Sequence, residues 1–170
     1  MTAALTGTVL PASTAAGPPA AGPQDAGSTR QVVLASVSSD AHTWNLIFMQ
    51  LLLEETGYQV TNLGACTPDD LVVGECLRRP GAVLVLSTVN GHGYTDGARL
   101  IARVRREPSL RDMPAVIGGK LGIDGTAVES RIRTLIDAGF DAVFPETAPL
   151  PPFVDWMRAL ARPPAALVAP

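Results

Sequence analysis

Short apolar runs alternate with longer amphipathic segments along the middle of this chain. Five runs rich in Val, Leu, Ile and Ala have the length of buried strands, and a segment with helical periodicity follows each one. This alternation predicts an α/β fold, namely a flavodoxin-like (Rossmann-like), doubly wound five-stranded parallel sheet with helices on both faces. The predicted strands are residues 31–37, 58–63, 82–88, 115–117 and 142–144, and the predicted helices are about residues 43–56, 68–79, 95–106, 126–138 and 152–161.

The two ends of the chain have a different composition. Residues 1–29 are mostly Ala, Gly, Pro, Ser and Thr, which offer little apolar surface to offset the entropy of ordering a backbone. We therefore expect a disordered leader over 1–29, one globular domain over 30–162 and a flexible tail over 163–170.

Charge and cysteine content exclude several classes of function. The net charge of −3, without a Lys/Arg-rich block, argues against nucleic acid or an anionic membrane as the main partner. No stretch is long and apolar enough for a membrane span, and the N-terminus has no signal-peptide pattern, so a cytoplasmic protein is expected. Cys66 and Cys76 lie outside any CxxC or Cys/His cluster, which predicts two reduced, buried structural thiols.

Candidate functional residues follow the predicted strands. Ligands of open parallel sheets bind beyond the carboxyl ends of the strands, where glycines and small hydroxyl residues let a ligand approach the backbone. The residues at these positions are Ser38, Ser39, Asp40, Ala41 and His42 after the first strand, Ser87, Thr88, Val89, Asn90, Gly91, His92 and Gly93 after the third, Gly118, Gly119 and Lys120 after the fourth, and Pro145, Glu146 and Thr147 after the fifth.

The segment Asp40-Ala41-His42 has the strongest chemical character. A carboxylate two residues from an imidazole can orient the ring, so that its other nitrogen binds a metal. Taken alone, the pattern also fits an ordinary surface turn, because Asp and His both tolerate turn geometry. The pattern does not identify the metal.

The spacing of three motifs resembles a known family. Residues 40–45 read Asp-x-His-x-x-Asn, then 41 residues (46–86) precede Ser87-x-Val89, and 28 more (90–117) precede Gly118-Gly119. This arrangement resembles the cobalamin-binding domain of corrinoid-dependent mutases and methyltransferases, which carries Asp-x-His-x-x-Gly, Ser-x-Leu and Gly-Gly. Over residues 31–160 the chain is most similar to the small subunit of glutamate mutase, also called methylaspartate mutase.

The resemblance implies a cofactor and its contacts. His42 would replace dimethylbenzimidazole as the lower axial ligand of cobalt, with Asp40 hydrogen-bonded to the other ring nitrogen. Ser87 and Val89 would line the channel for the displaced nucleotide tail, where Gly118 and Gly119 leave room. The residues expected at the cofactor are Ser38, Asp40, Ala41, His42, Thr43, Asn45, Ser87, Thr88, Val89, Asn90, Gly91, Gly118, Gly119, Lys120, Pro145 and Thr147, with His42 as the metal ligand.

The resemblance also implies an activity. It is that of an adenosylcobalamin-dependent carbon-skeleton mutase, an isomerase that converts L-glutamate to 3-methylaspartate after homolysis of the Co–C bond. This chain is too short to hold a substrate barrel as well, so a separate large, barrel-type subunit would supply the substrate site. No catalytic residue beyond the axial ligand is expected here.

Departures from the family pattern leave other functions open. Asn45 stands in place of glycine at the turn into the first helix, where Asn is expected to tolerate a left-handed backbone and adds bulk near the tail. Tyr94 stands where glutamate mutase has an acid, and residues 145–147 also differ. A noncatalytic cobalamin-binding or sensing module therefore remains possible.

Three further alternatives fit less well. A methyl-carrying corrinoid protein would have a helical domain before the sheet, where this chain has a low-complexity leader. A phosphoacceptor receiver domain would need an acidic pair after the first strand and an Asp after the third. A flavodoxin would need aromatic residues against the flavin.

Overall fold

Each of the five predicted strand–helix units is present in the computed structural model, which describes residues 30–123 and 128–161. The predicted leader (1–29) and tail (163–170) lie outside the described residues, as does the predicted start of the fourth helix at residue 126. The strands are β1 Gln31–Ala35, β2 Gln59–Asn62, β3 Val83–Thr88, β4 Ala115–Gly119 and β5 Ala142–Pro145, and the helices are α1 Trp44–Glu55, α2 Asp69–Arg78, α3 Gly93–Arg106, α4 Val128–Ala138 and α5 Leu150–Ala161, with a short 3₁₀ turn at Pro108–Leu110.

The strands form one parallel sheet in the order β2-β1-β3-β4-β5. The chain leaves β1 toward one edge and returns to form β3 on the other side, so the strand order reverses between β1 and β3. This is the flavodoxin-like arrangement, and the predicted fold is confirmed. The loops that follow β1 and β3 therefore leave neighbouring strands at the same edge of the sheet.

Alternating residues of the strands divide the core between the two faces. Val33 and Ala35 of β1 pack with α2, α3 and α4, whereas Val32 and Leu34 pack with α1 and α5. All four side chains are fully buried. Each strand therefore contributes to both hydrophobic layers, as expected for strands covered on both faces.

The observed ends of two strands differ from the prediction by two residues, whereas those of the other three differ by one. β1 ends at Ala35 rather than residue 37, because the chain turns at Ser38 and Ser39 and closes with a 3.0 Å bond from Asp40 N to Val37 O. β4 continues past residue 117 through Gly119, which pairs with Thr88 of β3. Both differences lie at the carboxyl edge, where the candidate site was predicted.

The two cysteines occupy different environments. Cys76 is buried in the core, and this burial raises the pKa of its thiol to about 12. Cys66 is exposed, so the expected burial was wrong for this residue. It follows β2 in a left-handed conformation with φ 50°, and its backbone N–H donates to Asp40 O at 2.7 Å. Across 30–123 and 128–161, no helix combines the length and apolar character that a bilayer crossing requires.

Candidate functional site

Asp40 lies at the centre of the candidate site and is fully buried. Its Oδ2 accepts hydrogen bonds from Thr88 Oγ1 at 2.8 Å and from Val89 N at 2.7 Å. Its Oδ1 accepts from His42 N at 3.1 Å and lies 2.7 Å from His42 Nδ1. Because β1 and β3 are adjacent, residues at the end of β3 reach the loop after β1 and fix this carboxylate.

These hydrogen bonds determine the protonation state of Asp40. Burial alone would raise the pKa of this carboxyl, but hydrogen bonds from Val89, His42 and Thr88 outweigh it and lower the pKa to about 2. Asp40 is therefore ionised at neutral pH and only accepts hydrogen bonds. It follows that His42 Nδ1 carries the proton that Asp40 accepts.

The contact with Asp40 leaves the second ring nitrogen of His42 as a possible ligand atom for a metal. With the proton on Nδ1, the lone pair of a neutral imidazole is on Nε2, on the side of the ring away from Asp40. The side chain is 52% exposed. A carboxylate that fixes the tautomer and orientation of an accessible imidazole is the usual support of a metal-ligating histidine.

An ionic network on α3 holds Ser38 and Ser39, the two residues before Asp40. Arg99 donates to Ser38 Oγ at 2.9 Å, to Asp69 Oδ2 at 2.9 Å and to Asp96 Oδ1 at 2.6 Å. Ser39 Oγ donates to Asp96 Oδ2. Arg99 and Asp69 were not among the residues predicted at the site. The i,i+3 spacing of Asp96 and Arg99 is a sequence signal for one of these contacts.

The Gly118-Gly119 pair lies where β4 approaches its neighbours most closely. Gly119 has φ +102°, and a Cβ atom there would lie 2.0 Å from Thr88 O. A Cβ on Gly118 would lie 3.0 Å from Phe144 O on β5. Glycine at residue 119 is therefore required by the sheet itself, independently of any ligand.

Asn45 does not have the expected left-handed backbone. It belongs to the first turn of α1, and its side chain points into the interior, where only 4% of the residue is exposed. Its Nδ2 donates to Ser87 O at 3.1 Å and to Ser87 Oγ at 3.0 Å. Its backbone is therefore helical, and contacts with β3 hold its side chain.

The other residues predicted at the site also lie near the carboxyl edge. Ala41 and Thr43 are exposed on either side of His42. Lys120 N donates to Thr88 O at 2.8 Å, next to the end of β4. Ser38 lies in the loop after β1, and Val89, Asn90 and Gly91 lie in the loop after β3. Pro145 ends β5, and Thr147 lies in the exposed loop after it. The roles of all these residues at a cofactor stay predictions.

Solved structures with the same fold include two functional classes. The monomethylamine corrinoid protein of Methanosarcina barkeri superposes with a TM-score of 0.58 and 18% identity, over 79% of this chain and 57% of that protein. The receiver domain of a sensor histidine kinase from Pseudomonas aeruginosa gives a TM-score of 0.57 and 13% identity, over 79% of this chain and all of that domain. At these identities the likeness establishes the fold alone.

Sequence relatives are more specific. No protein-family model matches the chain. The glutamate mutase sigma subunit of Fusobacterium nucleatum is 26% identical over 121 residues, which cover 71% of this chain and 88% of the relative. The glutamate mutase sigma subunit of Halobacterium salinarum is 30% identical over 113 residues, which cover 66% of this chain and 74% of the relative. The chain belongs to the glutamate mutase sigma subunit family.

Proposed function

We propose that this chain is the cobalamin-binding small subunit of an adenosylcobalamin-dependent glutamate mutase, with His42 as the lower axial ligand of cobalt. The observation that carries the proposal is the contact between ionised, buried Asp40 and His42 Nδ1, which leaves Nε2 as a free donor atom. The relatives' names give glutamate as the substrate, and 3-methylaspartate is the product that the resemblance of the sequence implies.

The residues at the site fit this cofactor. An imidazole is a suitable ligand for cobalt, and a single protein ligand is sufficient where a corrin ring supplies the equatorial nitrogens. When bound, adenosylcobalamin supplies a weak Co–C bond as the source of a carbon radical, chemistry that belongs to the cofactor. Asp40 fixes the His42 tautomer and strengthens the ring as a donor, while Thr88 and Val89 hold Asp40 in place.

An exposed apolar face of α1 indicates a contact surface for a partner subunit. Trp44, Ile47, Phe48 and Leu51 are 62%, 57%, 49% and 58% exposed. Their spacing places them on one side of the helix, and the face begins two residues after His42. Large exposed apolar patches mark protein contact surfaces. We infer that a large, barrel-type catalytic subunit covers this face, supplies the substrate site and makes the mutase active only as a heteromer.

Electron paramagnetic resonance of cobalt(II) tests the axial ligand directly. Cobalamin is added to purified protein labelled uniformly with ¹⁵N, reduced to cobalt(II), and the splitting by the axial nitrogen is recorded. Because ¹⁵N and ¹⁴N have different nuclear spins, a protein ligand splits each cobalt line into a doublet, whereas the cofactor's own base gives a triplet. We expect doublets for the wild type and for the control His92→Ala, which removes the chain's second, exposed histidine.

His42→Ala completes the test. This variant should show only triplets or no bound cofactor. Triplets in the wild type, or doublets that persist in His42→Ala, contradict His42 ligation. The assignment as a glutamate mutase subunit is tested separately, by mixing the chain with a large glutamate mutase subunit, adenosylcobalamin and L-glutamate. The absence of 3-methylaspartate from a complex that contains both subunits and the cofactor would contradict it.

A further inference from the structure

The interface between α1 and the end of β3 contains buried polar groups with unused hydrogen-bonding capacity. Asn45 uses both of its contacts to Ser87 as a donor, through Nδ2. Its Oδ1 is buried and has no hydrogen-bond partner in the described part of the chain. Ser36 Oγ, one residue beyond β1, is also buried and unpartnered within residues 30–123 and 128–161. Ala35 pairs with Leu86, so Ser36 and Ser87 are the residues that follow the last pair of β1 and β3.

Such an arrangement is unusual in a hydrophobic layer. Leu46 of α1 and Val85 of β3, which flank the polar groups along the chain, belong to the buried core between the sheet and α1. An unpaired polar atom in such a place destabilises the fold, and buried polar groups are normally all paired. The Asn45 amide therefore satisfies only its donor side in this conformation, while Ser87 has both its carbonyl and its hydroxyl engaged by one side chain.

The position of Asn45 connects it to the proposed cofactor, and the inference rests on that proposed function. If His42 replaces the cofactor's own base, the displaced base and its ribose-phosphate chain stay on the His42 side of the corrin, because they are covalently attached there. Asn45 lies in the first turn of the helix that follows His42. A polar chain that enters between α1 and β3 would meet the Asn45 amide and compete with it for Ser87.

We propose that Asn45 is a latch that determines corrinoid specificity. In the closed state, its amide occupies the polar groups of Ser87 and fills the space between α1 and β3. The nucleotide tail of cobalamin enters this space only after the Asn45–Ser87 hydrogen bonds break. The latch therefore lowers the affinity for complete cobalamin, whereas cobinamide, the same corrin without the nucleotide, binds without opening it.

Two ligands and two variants test the latch. Dissociation constants for cobalamin and for cobinamide are measured by absorbance titration of the wild type, of Asn45→Ala and of Asn62→Ala. Alanine is favourable in the first turn of α1, so Asn45→Ala should fold, and its thermal unfolding is recorded alongside. Asn62→Ala is the matched control, since Asn62 also donates an amide hydrogen bond to α1, at Gln50 Oε1, but lies on β2.

The ratio of the two dissociation constants gives the result. Breaking two ordinary hydrogen bonds should weaken cobalamin binding by about tenfold or more, so Asn45→Ala should bind cobalamin about tenfold more tightly. Its cobinamide affinity should be unchanged, and Asn62→Ala should change neither. An unchanged ratio, equal gains for both ligands or weaker cobalamin binding in Asn45→Ala would overturn the latch while leaving His42 ligation intact. Failure of the wild type to bind either corrinoid would overturn the latch and the proposed function together.

Discussion

Replacing Asp40 with Asn tests how strongly the site depends on a charged acceptor. The side chain keeps its size, but one of its two acceptor oxygens becomes an NH₂ donor. Four donors converge on the wild-type carboxylate, two on each oxygen. In either orientation of the amide, the new NH₂ group faces a backbone N–H. This N–H belongs to Val89 in one orientation and to His42 in the other.

The magnitude follows from those contacts. The Thr88 hydroxyl can donate instead to Asn90 Oδ1, 3.2 Å away, which partly compensates for the lost hydrogen bond to Asp40. The remaining orphaned donor and the loss of charge-assisted hydrogen bonds should cost about 2–3 kcal/mol of unfolding free energy. If the amide instead faces His42, the ring must move its proton to Nε2 to accept from the amide, and the metal-binding lone pair is lost. Cobalamin affinity should then fall about 10-fold to 100-fold.

Urea denaturation measures the loss of unfolding free energy, and ¹⁵N NMR of the imidazole detects the move of its proton to Nε2. With a urea dependence of about 2 kcal/mol per molar, the unfolding midpoint of Asp40→Asn should fall by about 1–1.5 M. Asp112→Asn removes an exposed carboxylate in the loop before β4 and serves as the control, with no expected shift. A loss below about 0.5 kcal/mol in Asp40→Asn, within the range of ordinary surface substitutions, would refute the reasoning.

Two further predictions concern the backbone and the thiols. Gly119→Ala should lower the unfolding free energy by about 3 kcal/mol or prevent folding, because its Cβ would lie 2.0 Å from Thr88 O. Gly64→Ala, also at positive φ but with no atom within 4 Å of the new Cβ, should cost only about 1–2 kcal/mol in urea denaturation, and equal losses would contradict the argument from close approach. Iodoacetamide at pH 8 should alkylate exposed Cys66 quickly, and Cys76, with its pKa raised to about 12, only after unfolding in urea. Mass spectrometry that finds two labels on the folded protein would contradict the burial of Cys76.

The hydrophobic pattern was sufficient to predict the five strands, the five helices and a sheet covered on both faces, because burial on two faces leaves a direct trace in sequence. It was less informative at the ends of elements. β4 extends to Gly119 because Thr88 lies opposite it in the sheet, a contact between residues distant in sequence. α5 begins at Leu150 rather than residue 152, with prolines in its first turn, where their missing N–H is tolerated.

At the site, sequence spacing located the Asp40–His42 pair but not the contacts that hold it. The hydrogen bonds of Arg99 to Ser38 and Asp69 join α3 to the β1 loop and to α2, and no local pattern encodes them. The backbone conformation of Asn45 was predicted from the turn preference of Asn. The structure instead places Asn45 in α1, with its side chain hydrogen-bonded to Ser87, 42 residues further along the chain. Local propensity is a weak guide wherever a buried partner from another element decides the conformation.

The hydrogen bonds to Asp40 have a consequence for biosynthesis. Asp40 and His42 are near neighbours in the chain, but the donors that fix the carboxylate come from Thr88 and Val89, 48 and 49 residues later. A nascent chain that has emerged only as far as β2 already contains the complete Asp-x-His segment, yet it lacks both donors to Asp40 Oδ2. The carboxylate that orients His42 gains these two donors only once β3 has been synthesised and has paired with β1, so under the proposed function we expect cobalamin to bind after that step of folding.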